Sequence, residues 1–150
     1  MKIYMDNCCF NRILDDRSVP IIYYERNTIL IILELIECKA IELFGSQMLI
    51  KEIEDTSDVI KKERLKLMYS LCSSEIMVSD SILDRAIEIR NTSNIRTKDS
   101  IHLACAEFAN VDVLLTVDKK FKNNANRIPA KIKVMDPNEW LMEVLYGNAD

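Results

Sequence analysis

Val111-Asp112-Val113-Leu114-Leu115-Thr116-Val117-Asp118 is the clearest strand signal in the chain, centred on Leu114 and Leu115 and ending on an acid. Four other short apolar runs surround it: Lys2-Ile3-Tyr4-Met5, which stops abruptly at Asp6; Ile41-Glu42-Leu43-Phe44, which stops at Gly45-Ser46; Ile76-Met77-Val78; and Ile132-Lys133-Val134-Met135, which stops at Asp136-Pro137. Helical patterns lie between them. Pro20 opens one, its missing N–H costing nothing in a first turn, and Ile29, Ile32, Leu33 and Ile36 give it a buried face. Others are expected from about Gln47 to Glu54 and from Asp58 to Cys72. Ser79 and Ser81 are cap residues for a helix carrying Ile82, Leu83, Ala86 and Ile87. A further helix carries Ile101, Ala104, Cys105 and Phe108, and a last one runs through Trp140 and Leu141 to Tyr146. Strands alternating with helices indicate β-α-β units and a parallel sheet covered on both faces. The expected fold is therefore α/β, a three-layer α/β/α arrangement around a central, mostly parallel sheet of four to five strands, in one domain over 1–150.

Composition narrows the class of function. At 150 residues the chain is long enough for a hydrophobic core, and 49% apolar with 29% charged residues is ordinary for a soluble domain. Two glycines and three prolines leave no flexible linker and no Gly-rich phosphate loop. The run from Ile29 to Leu33, resuming at Leu35, falls far short of the ~20 residues that span a bilayer. The first residues meet Asp6 too soon for a signal peptide. A cytoplasmic protein without membrane contact is expected. The five cysteines (Cys8, Cys9, Cys38, Cys72 and Cys105) include no C-x-x-C pair, which argues against a disulfide framework or a zinc site. Cys38, Cys72 and Cys105 lie in apolar helical patterns and read as small packed hydrophobes. A net charge of -4 argues against a passive nucleic-acid binder, though not against an enzyme whose acids hold cations that contact phosphate.

In open parallel sheets, ligands bind beyond the carboxyl ends of the strands. Asp6 and Asp118 stand where strands run out, Glu52 falls just past the second strand, and Asp99 lies near the start of the helix before the fourth. These four acids are expected to share one crevice. Converging carboxylates repel, and some protonate unless a cation neutralises them. Hard oxygen ligands select Mg2+ or Mn2+, which keep positions open for water and phosphate. Each acid also has a structural explanation as a cap, a turn former or a partner of a helix dipole. Glu52 has Glu54 and Asp55 as near neighbours, so spacing alone does not single it out.

Four stretches together resemble the PIN-domain family. Ile3-Tyr4-Met5-Asp6-Asn7-Cys8-Cys9-Phe10-Asn11-Arg12 is similar to its opening, where a strand ends on an aspartate. Gly45-Ser46-Gln47-Met48-Leu49-Ile50-Lys51-Glu52-Ile53 is similar to its second motif, a serine followed six residues later by a glutamate, and this selects Glu52 over Glu54. Lys98-Asp99-Ser100-Ile101-His102-Leu103-Ala104-Cys105-Ala106 resembles the third, and Leu114-Leu115-Thr116-Val117-Asp118-Lys119-Lys120-Phe121 the fourth. The resemblance implies an α/β/α fold and a ribonuclease that cuts RNA internally with Mg2+ or Mn2+. Asp6, Glu52, Asp99 and Asp118 would be its catalytic, metal-holding acids, with the Thr116 hydroxyl beside them. Many small members are toxins of the VapC type, held inactive by an antitoxin protein and often dimeric. This makes RNA the expected substrate, and an antitoxin and a second copy of the chain candidate partners. The excursion from Phe10 to Ala40 departs from the shortest toxins.

His102, the only histidine, lies three residues after Asp99, so the two can share a helix face and ligate metal; a packed or hydrogen-bonded role is the plainer reading. Asn7, Asn11 and Asn123 are candidates to orient water or phosphate, although Asn7 and Asn11 also suit a turn after the first strand. Arg96 and Lys98, and Lys119, Lys120 and Lys122, flank the third and fourth acids as a candidate basic rim for the RNA backbone, or as an ordinary solvated patch. A phosphorelay receiver wants adjacent acids after the first strand, but Asn7 follows Asp6. A haloacid-dehalogenase-like phosphatase wants Asp-x-Asp, but Cys8 stands at the second position. A catalytically silent PIN scaffold that only binds protein or RNA is the rival of another class, and a structure-specific DNA nuclease the enzymatic one. All four acidic motif positions are filled.

Overall fold

Side chains along the strands alternate between two buried layers. In β1 (Lys2–Met5), Ile3 and Met5 pack into one cluster and Tyr4 into the other; in β4 (Val113–Leu115), Val113 and Leu115 join the first and Leu114 the second. This period of two on a doubly covered sheet requires helices on both faces. In the computed structural model, which describes residues 1–147, they are there. The first layer holds α1 (Asn7–Arg12), α2 (Pro20–Glu37), α3 (Gln47–Glu54), α4 (Val59–Tyr69) and α8 (Pro137–Tyr146). The second holds α5 (Asp80–Asn91), α6 (Thr97–Phe108) and α7 (Lys119–Ala125).

The strands β2 (Glu42–Ser46), β3 (Ser74–Ile76) and β5 (Lys133–Met135) complete a sheet of order β3-β2-β1-β4-β5. Every neighbouring pair is parallel. The chain steps outward from β1 to β3, then crosses back beyond β1 to β4, and the covering layer changes with the direction of travel. Beside β1 the topology therefore has its switch point. The three-layer α/β/α arrangement and the parallel sheet are as expected.

Several local expectations are corrected. Asn7 and Asn11 sit in helix α1, not in a turn. The third strand is Ser74–Ile76, earlier than the apolar run Ile76–Val78, and Met77 is exposed. Helix α5 buries Ile82, Ala86 and Ile89 and leaves Leu83 and Ile87 exposed, while Phe108 at the end of α6 is also exposed. Cys38 is the exposed C-cap of α2 and packs into no core, whereas Cys105 is buried. All five cysteines are free. Among the described residues, no helix is long and apolar enough to cross a membrane.

One close approach fixes the end of β2, from which α3 departs. A Cβ on Gly45 would lie 2.6 Å from Cε2 and Oη of Tyr69. The Tyr69 hydroxyl, held there, donates to Glu75 Oε1 at 2.5 Å and lies 3.3 Å from the Ser46 carbonyl. Gly45→Ala is expected to cost about 1–3 kcal/mol in urea unfolding, the usual range for overpacking. In a Tyr69→Ala background the same change should cost clearly less, because the obstructing ring is gone. An equal cost in both backgrounds would contradict the close approach.

Candidate active site

The carboxyl ends of β1 and β4 border a crevice of about 350 Å³, and Asp6, Glu52, Asp99 and Asp118 all line it. Asp6 follows the last residue of β1. It is only 4% exposed, and its backbone N–H continues the pairing by donating to the Leu115 carbonyl at 3.3 Å. Thr116 Oγ1 donates to Asp6 Oδ2 at 2.7 Å and accepts from the Asp118 N–H at 3.1 Å. Thr116 is thus a buried brace between the two strand-end acids and does not line the crevice. Cys8 does line it, and its sulfur lies 2.7 Å from Asp6 Oδ1. Burial foremost, and then the neighbouring Cys8, push the Asp6 carboxyl well above the usual carboxylate range.

Asp118 serves two ends. Its Oδ1 accepts the Lys120 and Phe121 N–H groups at 3.0 and 3.1 Å, capping α7, while Oδ2 accepts from Arg96 Nη2 at 3.0 Å. The same guanidinium nitrogen donates to Asp99 Oδ2 at 3.3 Å. The structural reading of Asp118 as a cap and its crevice placement therefore both hold. Asp99 lies in the first turn of α6. Burial raises its pKa, and the nearby Arg96 guanidinium only partly offsets this.

Glu52 reaches the crevice from α3, whereas Glu54 turns outward to Lys66 at 3.1 Å and Asp55 to Lys51 at 3.0 Å. Of the three neighbouring acids, only Glu52 lines the crevice. Its Oε1 meets Nε2 of His102, which is 1% exposed. Asn7 and Asn11 line the crevice as well; Asn11 Nδ2 donates to the Asn7 carbonyl at 2.9 Å, and Asn7 Oδ1 is buried without a partner.

The basic residues separate. Arg96 bridges two of the acids, and Lys98 is exposed without lining the crevice. Lys120 lines a small cleft with Arg96, Asp99 and Asp118 that continues into an open groove of about 740 Å³. Asn94, Asn123, Asn124 and Arg127 complete that groove. Lys119 instead acts on Glu25, and Lys122 pairs with Glu139 at 3.1 Å. Sequence reading missed Cys8 and Lys61 as crevice residues. Cys8 was concealed because α1 is only six residues long, and nothing local marks Lys61. Asp6, Cys8 and Cys9 also offer ligand atoms within 4.8 Å of one another, the one such metal-capable group among the described residues. The four carboxylates are spread around the crevice and are not drawn into a comparably tight knot.

Comparisons with known proteins fit this geometry. The family model described as PIN domain matches residues 13–127, well over half of the chain. That span includes Glu52, Asp99 and Asp118 and begins after Asp6. No curated protein sequence matches. Among solved structures, a chain of VapBC2 from Rickettsia felis bound to a DNA fragment from its promoter aligns with a TM-score of 0.63 at 18% identity, covering 91% of this chain and 98% of that one. A chain of a toxin–antitoxin complex from Klebsiella pneumoniae aligns at 0.58 and 19% identity, covering 90% and 97%. A chain of FitAB bound to the IR36 DNA fragment aligns at 0.60 and 15% identity, covering 90% and 94%. At these identities the structural likeness speaks for the fold, and together with the family match over residues 13–127 it leads to one assignment: the chain belongs to the PIN domain family.

Proposed function

We propose that this protein is a divalent-metal-dependent endoribonuclease and the toxin of a toxin–antitoxin pair. The observation that carries the reading is the meeting of Asp6, Glu52, Asp99 and Asp118 in one crevice at the switch point of the sheet. Membership of the PIN family and structural neighbours described as toxin–antitoxin complexes support it.

The residues present suit a hard cation. Asp6 and Asp99 are both pushed toward protonation by burial, a penalty that an added positive charge relieves. Asn7 Oδ1 is a buried acceptor with nothing to accept. The Arg96 guanidinium lies between Asp99 and Asp118, where positive charge is evidently accommodated. Asp6, Glu52, Asp99 and Asp118 would hold Mg2+ or Mn2+, their oxygens being the ligands such ions prefer. When bound, the ion makes a water nucleophilic at neutral pH and draws charge from the phosphoryl oxygens.

The chain's own groups supply the remainder. Thr116 fixes one Asp6 oxygen and leaves Asp6 a rigid floor to the site. Arg96 is exposed and long enough to leave its carboxylates for a phosphate, a geometry that guanidinium matches. The groove of Lys120, Arg127, Asn94 and Asn123 leads away from Asp118, and its mixture of cations and amides suits the backbone and bases of a single strand. Exposed Tyr23 and Tyr24 on α2, and Val59, Ile60 and Leu67 on α4, supply apolar surface that an antitoxin or a second copy of the chain would cover.

With labelled RNA, cleavage is expected with Mn2+ or Mg2+ and not with chelator. Asp99→Asn should reduce it by more than the roughly 10- to 100-fold that loss of a ligand's supporting partner costs. Cutting that survives both treatments would sink the metal mechanism. A wild type that neither binds divalent ions nor cuts RNA would leave the silent scaffold.

In fluorescence anisotropy with single-stranded RNA, Lys120→Glu should weaken binding and reduce the salt slope by about 0.7 or more per lost phosphate contact. Lys119→Glu, on the side of Glu25, should leave both nearly unchanged; equal effects would refute the groove as the path of the strand.

The raised Asp6 pKa also has a thermodynamic consequence. A carboxyl that binds its proton more tightly folded than unfolded loses stability as pH rises from its unfolded pKa through its folded one. The metal-free protein should therefore be less stable at neutral pH than in the mildly acidic range as far as Asp6 is concerned. Asp6→Asn should raise the metal-free Tm at neutral pH while abolishing Mn2+ binding. A lowered Tm in that variant would show that Asp6 is not held at a cost.

A further inference from the structure

Glu52 differs from the other three acids in its place on a helix. Asp6 and Asp118 stand at the N-caps of α1 and α7, and Asp99 in the first turn of α6, where unpaired N–H groups and the helix dipole favour negative charge. Glu52 lies in the last turn of α3, where the dipole is unfavourable. Its compensation comes from elsewhere, through a chain of buried polar groups. Glu52 Oε1 meets His102 Nε2. His102 Nδ1 lies 2.5 Å from the Tyr4 hydroxyl, which in turn lies 2.7 Å from Ser46 Oγ. Ser46 Oγ accepts the Leu49 N–H at 3.0 Å and so caps α3. Tyr4 and Ser46 are 0% exposed and His102 is 1% exposed.

The bonds run consistently in one direction. A carboxylate only accepts, so Nε2 carries the imidazole proton and donates it to Glu52. Nδ1 then accepts from the Tyr4 O–H. The Tyr4 oxygen accepts from the Ser46 hydroxyl, and the Ser46 oxygen from Leu49. The reverse direction, with the proton on Nδ1, would set the bare Nε2 lone pair against the Glu52 carboxylate and turn the Ser46 hydroxyl toward the sulfur of Cys105, a weaker acceptor. Ser46 and Glu52 are the two ends of α3, so the chain closes a ring: cap, phenol, imidazole, acid and helix.

We infer that His102 is a positioning residue for Glu52, its Nε2–H tautomer set by Tyr4 and Ser46, and that this relay aims the carboxylate into the crevice for the divalent ion. The inference rests on the nuclease reading and adds to it three residues, His102, Tyr4 and Ser46, that do not themselves hold the ion. His102 does not touch substrate in this role; it orders the acid that Asp99, one helical turn away, helps to complete.

The lone histidine makes the test direct. In protein labelled with 15N-histidine, long-range correlation spectra should show one imidazole with its proton on Nε2. Calorimetry with Mn2+ should find His102→Leu weaker than wild type by about 10- to 100-fold, the usual effect of removing a ligand's hydrogen-bond partner. His102→Gln, whose amide N–H reaches the place of Nε2–H, should recover most of that loss. Tyr4→Phe removes a single oxygen and should weaken Mn2+ binding severalfold; it stands in if His102→Leu does not fold. A proton on Nδ1, or wild-type affinity in both His102→Leu and Tyr4→Phe, would overturn the positioning role alone. A wild type that binds no Mn2+ would overturn the nuclease reading, and this role with it.

Discussion

Four carboxylates facing one crevice at the edge of a parallel sheet is the constraint on which the rest of the structure depends. Each carboxylate taken from water raises its own cost and that of its neighbours. The fold offsets this locally and differently for each. Asp6 has the Thr116 hydroxyl, Asp118 has the backbone N–H groups of α7, and Asp99 and Asp118 share Arg96. Glu52 has His102. The offset is incomplete, since Asp6 and Asp99 remain harder to ionise than free carboxyls. A site left short of positive charge in this way is poised for a cation, and stability is what the fold gives up for it.

The topology explains why the cost is concentrated there. With order β3-β2-β1-β4-β5, the connections from β1 and β4 leave for opposite layers. Their diverging helices open the crevice and present their N-termini to it, so the acids at Asp6 and Asp118 receive dipolar support from elements that the β-α-β rule already requires. Glu52 arrives at the end of α3 and cannot share that support. The buried imidazole makes up the difference, which is why polar groups as far inside as Tyr4 and Ser46 are tolerated in the second core layer.

Much of this was legible in the chain and some was not, for reasons that lie in particular residues. Strand ends that fall on Asp6 and Asp118 are visible because an apolar run halts at a charge. Helix α1 is short and begins with Asn7, a residue equally at home in a turn. On α5, the stripes Ile82, Ala86, Ile89 and Leu83, Ile87 both keep helical spacing, and only the packing of α5 against α6 decides which is buried. Strand β3 pairs through Ser74 and Glu75 at the sheet edge, so its apolar signal falls on its last residue. Glu52 was separated from Glu54 and Asp55 by family resemblance; the structure gives a physical basis, since of these three only Glu52 both lines the crevice and meets His102.

That pairing joins positions fifty residues apart and leaves no trace in local periodicity. It also gives a physical reading of the serine six residues before the glutamate. A cap at Ser46 fixes where α3 starts, and its eight-residue length then fixes where Glu52 comes to rest relative to α6. Were the helix to start one residue later, Glu52 would rotate by about 100° away from His102. The hydroxyl that caps α3 and the hydroxyl that anchors Tyr4 are the same one, so helix register and imidazole tautomer are set by a single side chain. Gly45, just before it, admits the Tyr69 ring, whose hydroxyl lies 3.3 Å from the Ser46 carbonyl. The acid in the crevice is therefore placed by a short run of β2, Gly45-Ser46, and by two buried rings, of which Tyr4 lies behind the crevice and His102 meets Glu52 at its wall.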